Sequence, residues 1–235
     1  MAGRASPRTP RTRAERQRET REALILAALD AFSRDGYHAT SLEGIANEAG
    51  FSKGAVYSNF SGKPDLFLTL MEFNLEMLRD GGWDPFSASD ADSARDADSK
   101  TEGGLEVAEM VRGFALATLE FIATAAREEK LKPALRERMQ MMIDAYTRVA
   151  SSARPADENL PPDDVALLMT ALDQGVTMLA LSGITAMDPA IVRTGLRRLV
   201  DPRGAADDPA PQREGANSFP GVEQVQRLFR EAPDS

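Results

Sequence analysis

From Ser52 to Phe60 the chain reads Ser-Lys-Gly-Ala-Val-Tyr-Ser-Asn-Phe, a run of hydrogen-bonding groups beside very small residues. If Val56 and Phe60, at i and i+4, form the inward side of a short helix, then Lys53, Gly54, Ala55, Tyr57, Ser58 and Asn59 face outward. An ammonium, a phenol, a hydroxyl and a carboxamide around glycine and alanine suit close approach to a polar groove better than they suit bulk solvent. Other chemistries lack their residues. There is no cysteine, which removes disulfides, thiolate metal sites and cysteine nucleophiles, and His38 is the only histidine. A zinc, haem-histidine or serine-histidine-aspartate site would have His38 alone to build on. The neighbouring acids Glu128-Glu129 and Asp163-Asp164 diverge on a helix and read as solvated surface. No catalytic residue, metal ligand or cofactor is therefore assigned, and an enzyme is not expected.

The elements that would position residues 53–59 can be traced backward. Thr40 with Glu43 three residues later reads as a capping box, and Leu42, Ile45, Ala46 and Ala49 give a short helix its apolar face. Gly50 ends that helix, and Ser52 is placed to cap the next. Before them, helical character starts around Arg13 to Glu19, with Leu24, Ala28 and Phe32 on one face and Gly36 as its stop. Two short helices joined by a glycine turn form a helix-turn-helix, whose second helix enters a DNA major groove while the first crosses the backbone.

The remainder reads as a helical body. Leu66, Leu70, Phe73 and Met77 mark a helix from Lys63 to about Arg79, with Pro64 tolerated in its first turn. Further stripes run through Val107, Val111, Phe114, Thr118, Phe121 and Ala125, and through Leu135, Met139, Met142, Tyr146 and Val149. Val165 to Ile184 is apolar nearly all round, which asks for burial on two sides and suggests a subunit interface, with Ile191 to Val200 as a shorter partner. Asp173 and Gln174 inside that apolar run must hydrogen-bond or face a pocket or partner subunit. With them and two threonines in it, the run reads as a buried helix rather than a membrane span, so no membrane partner is expected. No strand-like alternation and no repeat is visible, and the expected class is all-α.

Composition sets the frame: 235 residues, 42% hydrophobic and 28% charged, suffice for a real core. The net charge of −9 hides a division, since residues 1–70 hold 10 Lys/Arg against 8 Asp/Glu, leaving 18 against 29 for the rest. Any attraction to phosphate is thus local to the amino-terminal end. The expected organisation is a basic flexible arm over 1–18, a helix-turn-helix domain over 19–62 and a helical body over 63–200. That body is interrupted by a flexible acidic loop at 81–104, and a loop with a short last helix fills 201–235. No apolar run follows the opening arginines, so a cytoplasmic location is expected.

From Thr20 to Phe67 the ordered features Phe32, Gly36-Tyr37, Ala39-Thr40, Ile45-Ala46, Ala49-Gly50, Ser52-Lys53-Gly54, Tyr57, Phe60, Lys63 and Leu66 follow one another without a gap. This segment resembles the DNA-binding region of the TetR family, the tetracycline-repressor-like regulators. Asn59, where histidine is frequent, and Gly62-Lys63-Pro64 depart from the common pattern. The resemblance implies a TetR-like all-α fold: a three-helix helix-turn-helix DNA-binding domain, then a helical ligand-binding and dimerisation domain. It implies that Thr40, Tyr57 and Lys63 contact phosphates with Ser41 and Ser52 assisting, and that Lys53, Gly54, Ala55, Ser58 and Asn59 lie near base edges. It further implies a ligand pocket, for which Phe114, Phe121, Met142, Tyr146, Met169 and Leu172 are candidates. A homodimer contact is implied on the last two body helices, with Leu168, Val176, Leu179, Val192, Leu196 and Leu199 as candidates. The expected partners are a double-stranded DNA operator, a second copy of the chain and an unknown small-molecule effector. The function so implied is a repressor released from a pseudo-palindromic operator by a small, largely apolar ligand. An activator or ligand-independent regulator is the alternative, and a helical enzyme or lipid carrier is the rival from another class.

Overall fold

The computed structural model describes residues 12–79, 85–86, 102–183 and 188–211. These form α1 (Arg13–Ala39), α2 (Leu42–Glu48), α3 (Lys53–Asn59), α4 (Lys63–Arg79), α5 (Glu102–Ala125), α6 (Lys132–Ala153), α7 (Pro162–Leu181) and α8 (Pro189–Val200). A single 3-10 turn, Gly204–Ala206, follows, and there is no strand among the described residues. The all-α expectation holds. The first eleven residues of the expected arm, most of the expected acidic loop, and residues 212–235 of the expected closing loop and helix lie outside the described residues.

Helix α1 starts earlier than an arm of eighteen residues would allow. Thr12 Oγ1 accepts the Glu15 N–H at 3.2 Å while the Thr12 N–H donates to Glu15 Oε2 at 2.6 Å, a reciprocal cap that fixes the first turn. Residues 13–18 thus belong to the helix. Its regular run is broken at Gly36, where φ is +79° and ψ is 171°, a conformation that only glycine adopts without strain.

The expected cap of α2 is corrected by one residue. Ser41, not Thr40, is the cap, and its Oγ accepts the Gly44 N–H at 3.0 Å. Thr40 turns inward instead, at 5% exposure, and its hydroxyl donates back to Gly36 O at 2.7 Å and Ala31 O at 3.1 Å. It closes the carbonyls that the break at Gly36 leaves without helical partners.

Two cores hold the molecule. The first joins α1 through α5 and is centred on Phe67, whose ring lies 4.9 Å from Phe32, 5.1 Å from Tyr37, 4.8 Å from Phe121 and 5.5 Å from Phe114. Edge-on and offset stacking at such distances adds to the area buried. Helix α5 presses on α1 so closely that a Cβ on Gly113 would stand 2.0 Å from Ser33 O. The second core lies among α6, α7 and α8 and contains Met142, Tyr146, Val165, Met169, Leu196 and Val200. Arg154, at the end of α6, donates to Leu199 O at 2.9 Å and Val200 O at 3.0 Å, satisfying carbonyls at the end of α8.

Helix α7 is, by length and composition, the one described helix apolar enough to cross a membrane. Its Val165, Ala166, Met169, Val176 and Leu181 are buried in the chain, whereas Leu167, Leu168 and Met178 are exposed. Asp173 and Gln174 find polar partners: Gln174 Nε2 donates to Asp173 Oδ2 at 3.1 Å and lies 3.6 Å from Met142 Sδ. Burial raises the Asp173 carboxyl above the ordinary carboxylate range, against the hydrogen bonds from Gln174 and Tyr146 that favour the anion.

Candidate nucleic-acid interface

Helices α2 and α3 are seven residues each, too short to persist alone, so their placement comes from what they pack on. Ile45, Ala46, Val56 and Phe60 are buried in the first core and fix both helices by their inner sides. Between them Gly50 has φ +74°, and the Phe51 N–H donates to Ala46 O at 2.8 Å, closing the turn.

What remains outside is the set read from the sequence. Lys53, Gly54, Tyr57 and Ser58 are exposed, with Tyr57 at 54%, and Ala55 and Asn59 are half-buried. Ser41 and Ser52 are exposed at the entries to α2 and α3, and Ser52 makes no side-chain cap bond. Lys53 Nζ pairs with Glu43 Oε2 at 3.2 Å across the two helices, both side chains largely exposed. Such a pair is weak in water, so a nucleic-acid acceptor can replace Glu43. Asn59 Nδ2 donates to Ala55 O at 2.8 Å and Ser58 Oγ donates to the same oxygen at 2.9 Å, which holds both side chains along the end of α3.

Two expected phosphate contacts are engaged elsewhere. Thr40 is turned inward as described. Lys63 directs all three ammonium hydrogens to main-chain carbonyls: Tyr37 O at 2.9 Å, Thr40 O at 3.0 Å and His38 O at 3.1 Å. Its nitrogen also sits 4.7 Å from the Tyr37 ring centre, a cation–π arrangement. Burial lowers the Lys63 pKa, opposed by the nearby charge of Glu120. Lys63 thus clamps the α1–α2 connection. Tyr37, buried beneath it, has its phenol pushed up to about 12 by the same loss of water.

Arg21 was not singled out by sequence reasoning. From α1 its Nη1 donates to Asn59 O at 3.0 Å, and its guanidinium lies 4.4 Å from the Phe60 ring centre. It closes the carboxyl end of α3 and steadies the outward face. No local pattern links residues 38 apart, and only a basic residue among the apolar positions of the first helix hinted at it.

The other candidate sites are rearranged. Phe114 and Phe121 belong to the first core, packed on Phe67, while Met142, Tyr146, Met169 and the half-buried Leu172 belong to the second, so the six divide between the two cores. On α7 and α8, Val176 and Leu196 are buried within the chain, whereas Val192 and Leu199 are half-buried and pack against the second core. Leu168 is exposed as a subunit contact requires, and Leu179 is half-buried. The period of α7 and α8 carried two apolar sides, and packing on α6 decided which one faces in.

Residues 24–70 match the family model described as bacterial regulatory proteins, tetR family. The chain is 27% identical over 163 residues to the uncharacterized HTH-type transcriptional regulator YfiR of Bacillus subtilis (strain 168), covering 68% of this chain and 78% of that one. It is 38% identical over 63 residues to the HTH-type transcriptional activator FasR of Mycolicibacterium smegmatis, and 43% identical over 61 residues to the HTH-type transcriptional repressor BepR of Brucella suis biovar 1. These shorter matches cover 27% and 26% of this chain and 29% of each relative. All three relatives are named as transcriptional regulators, none as an enzyme. Among solved structures, a TetR-family member from Streptomyces coelicolor A3 superposes with a TM-score of 0.52 at 22% identity, covering 77% of this chain and 98% of that one. The SmeT protein in complex with triclosan superposes with a TM-score of 0.52 at 21% identity, covering 77% and 90%. With its amino-terminal helix-turn-helix and the helical body packed against it, the chain has the fold of the TetR-family structures it superposes on, and its residues 24–70 match the DNA-binding region of that family.

Proposed function

We propose that the chain is a homodimeric repressor that binds a pseudo-palindromic operator through α3 and is released by a small, largely apolar ligand in the cytoplasm. The observation that carries the DNA reading is the outer face of α3. Tyr57 stands exposed between Lys53, Gly54 and Ser58, on a helix whose inner side is fixed by Val56 and Phe60. In this reading Tyr57, Ser41 and Ser52 contact phosphates, while Lys53, Gly54, Ala55, Ser58 and Asn59 lie along base edges. The reader comprises α1 to α3, from Arg13 to residue 62, and the body residues 63–200.

A second copy of the chain covers the outer side of α7 and α8, where Leu167, Leu168, Met178 and Ile191 are exposed. Large apolar residues in line on one helix favour burial against a partner. Two readers related by a two-fold axis then meet half-sites about 35 Å apart. The repressor and activator readings divide among the relatives themselves, since BepR is named a repressor and FasR an activator. A ligand in the body is supported by the SmeT likeness, a protein solved with triclosan, and by the adaptable thioethers of Met142 and Met169 in the second core. Release would be a population shift, the ligand preferring a body that splays the readers apart.

Selection of bound duplexes from a random pool by the full chain tests this, and a two-fold related pair of half-sites is expected. Tyr57→Ala should then weaken binding to all sequences about tenfold. Changing Lys53 or Asn59 should instead alter base preference by about 1–3 kcal/mol at one position. Unaltered binding by all three variants would refute the site map, and reporter expression after deletion separates repressor from activator.

A further inference from the structure

Glu120 stands on α5, in the body, yet its carboxylate reaches the connection between α1 and α2. Its Oε2 accepts the His38 backbone N–H at 3.0 Å. A Cβ on Gly36 would lie 2.8 Å from its Oε1, so the bare glycine leaves the room the carboxylate occupies. One turn further along α5, Thr124 Oγ1 lies 3.4 Å from His38 Nε2. The opposite side of the same connection is held by Lys63, which takes the carbonyls of Tyr37, His38 and Thr40. His38 is therefore gripped at both main-chain groups, its N–H by the body and its C=O by α4. The anion of Glu120 and the cation of Lys63 also attract each other across it.

This connection leads straight into Ser41, the cap of α2, and so into the helix-turn-helix. The ring contacts beside it, Tyr37 and Phe67 on Phe121, hold reader and body together but make no hydrogen bond to the main chain at His38. A hydrogen bond to an ionised acceptor is shorter-ranged and directional.

We propose that Glu120 is a positioning residue for DNA binding: by holding the His38 amide it sets the angle of the helix-turn-helix on the body, and operator half-site spacing is read through it. This rests on the paired-docking reading above, since spacing has meaning only for two readers on one duplex.

The test uses the full chain and duplexes built from its own selected site, with the separation of half-sites changed by one base pair in either direction, and a single half-site as control. Glu120→Ala should lose the wild-type preference for its own spacing about tenfold, with half-site affinity and base preference unchanged. Glu120→Gln, which keeps an acceptor oxygen, should retain the preference. Exchange of the His38 amide with solvent should quicken in Glu120→Ala and not in Glu120→Gln. Glu120→Met, of similar volume but without the acceptor, should behave as the alanine variant does and replaces it if that variant fails to fold. A wild-type chain indifferent to spacing refutes the paired-docking reading and this inference with it. A wild-type chain that discriminates, with variants that discriminate equally or lose half-site binding, refutes the inference alone. So does an unchanged His38 exchange rate.

Discussion

The two cores of this protein differ in kind. The first is aromatic and shared: Phe32 and Tyr37 of α1, Phe67 of α4, and Phe114 and Phe121 of α5 interlock, so reader and body meet in one packed unit. The second is built of methionine and aliphatic residues with one tyrosine, and α7, one of its walls, carries a line of exposed apolar side chains. Stacked rings allow few arrangements, whereas thioethers and leucines allow many. The first core is suited to hold DNA-reading geometry, and the second is where the proposed function puts a partner or ligand.

The contrast is tested most severely at its hub. Phe67→Ala should cost about 3–5 kcal/mol and unfold reader and body together, visible as a single lowered transition in denaturant by both helix and tyrosine signals. Two separated transitions would mean that the aromatic core does not unite the two parts. On the other side of the comparison, Leu168→Asp should leave the monomer's helix content intact while weakening self-association about a hundredfold, read by sedimentation at graded concentrations.

A smaller effect is expected where α1 and α5 touch. Gly113→Ala drives a methyl group into Ser33 O and should destabilise by about 1–3 kcal/mol, with a matching loss of operator affinity, because the helices must part. The same substitution at Gly175, whose Cβ would meet nothing within 4 Å, should be tolerated by the monomer. Melting temperatures of the two variants check this directly.

The smallest effect concerns pH. Asp173 holds its proton more tightly in the folded chain than in the unfolded one. Its contribution is thus fully present at pH values below the ordinary carboxyl range and is lost as pH rises through the raised folded value. Asp173→Asn should flatten this part of the stability curve and raise the melting temperature at neutral pH relative to the wild type. An unchanged slope would show the carboxylate to be already compensated.

Much of the reader was legible in the sequence because its constraints are local. Gly36 and Gly50 mark places where the backbone takes a positive φ, and Val56 with Phe60 leaves one outward set whatever the surroundings. The shift of the α2 cap from Thr40 to Ser41 was not legible, because both residues are good caps and the choice fell to the carbonyls stranded at Gly36. Nor was the inward engagement of Lys63. A lysine beside a DNA reader suggests phosphate, but three carbonyls brought together by the break in α1 take all its donors.

By itself the sequence determined an all-α chain, the helix-turn-helix, its outward residues and the family that residues 24–70 match, since these follow from period, caps and glycines within some fifty consecutive residues. Tertiary structure alone decided which side of α7 and α8 is buried, that Phe114 and Phe121 join the reader rather than Met142 and Tyr146, and that Arg21 and Glu120 brace α3 and the α1–α2 connection. The physical reason is range. Hydrophobic periodicity states that a face must be covered, but not by what, and a charged side chain finds its partner 38 or 82 residues away only after the helices have packed.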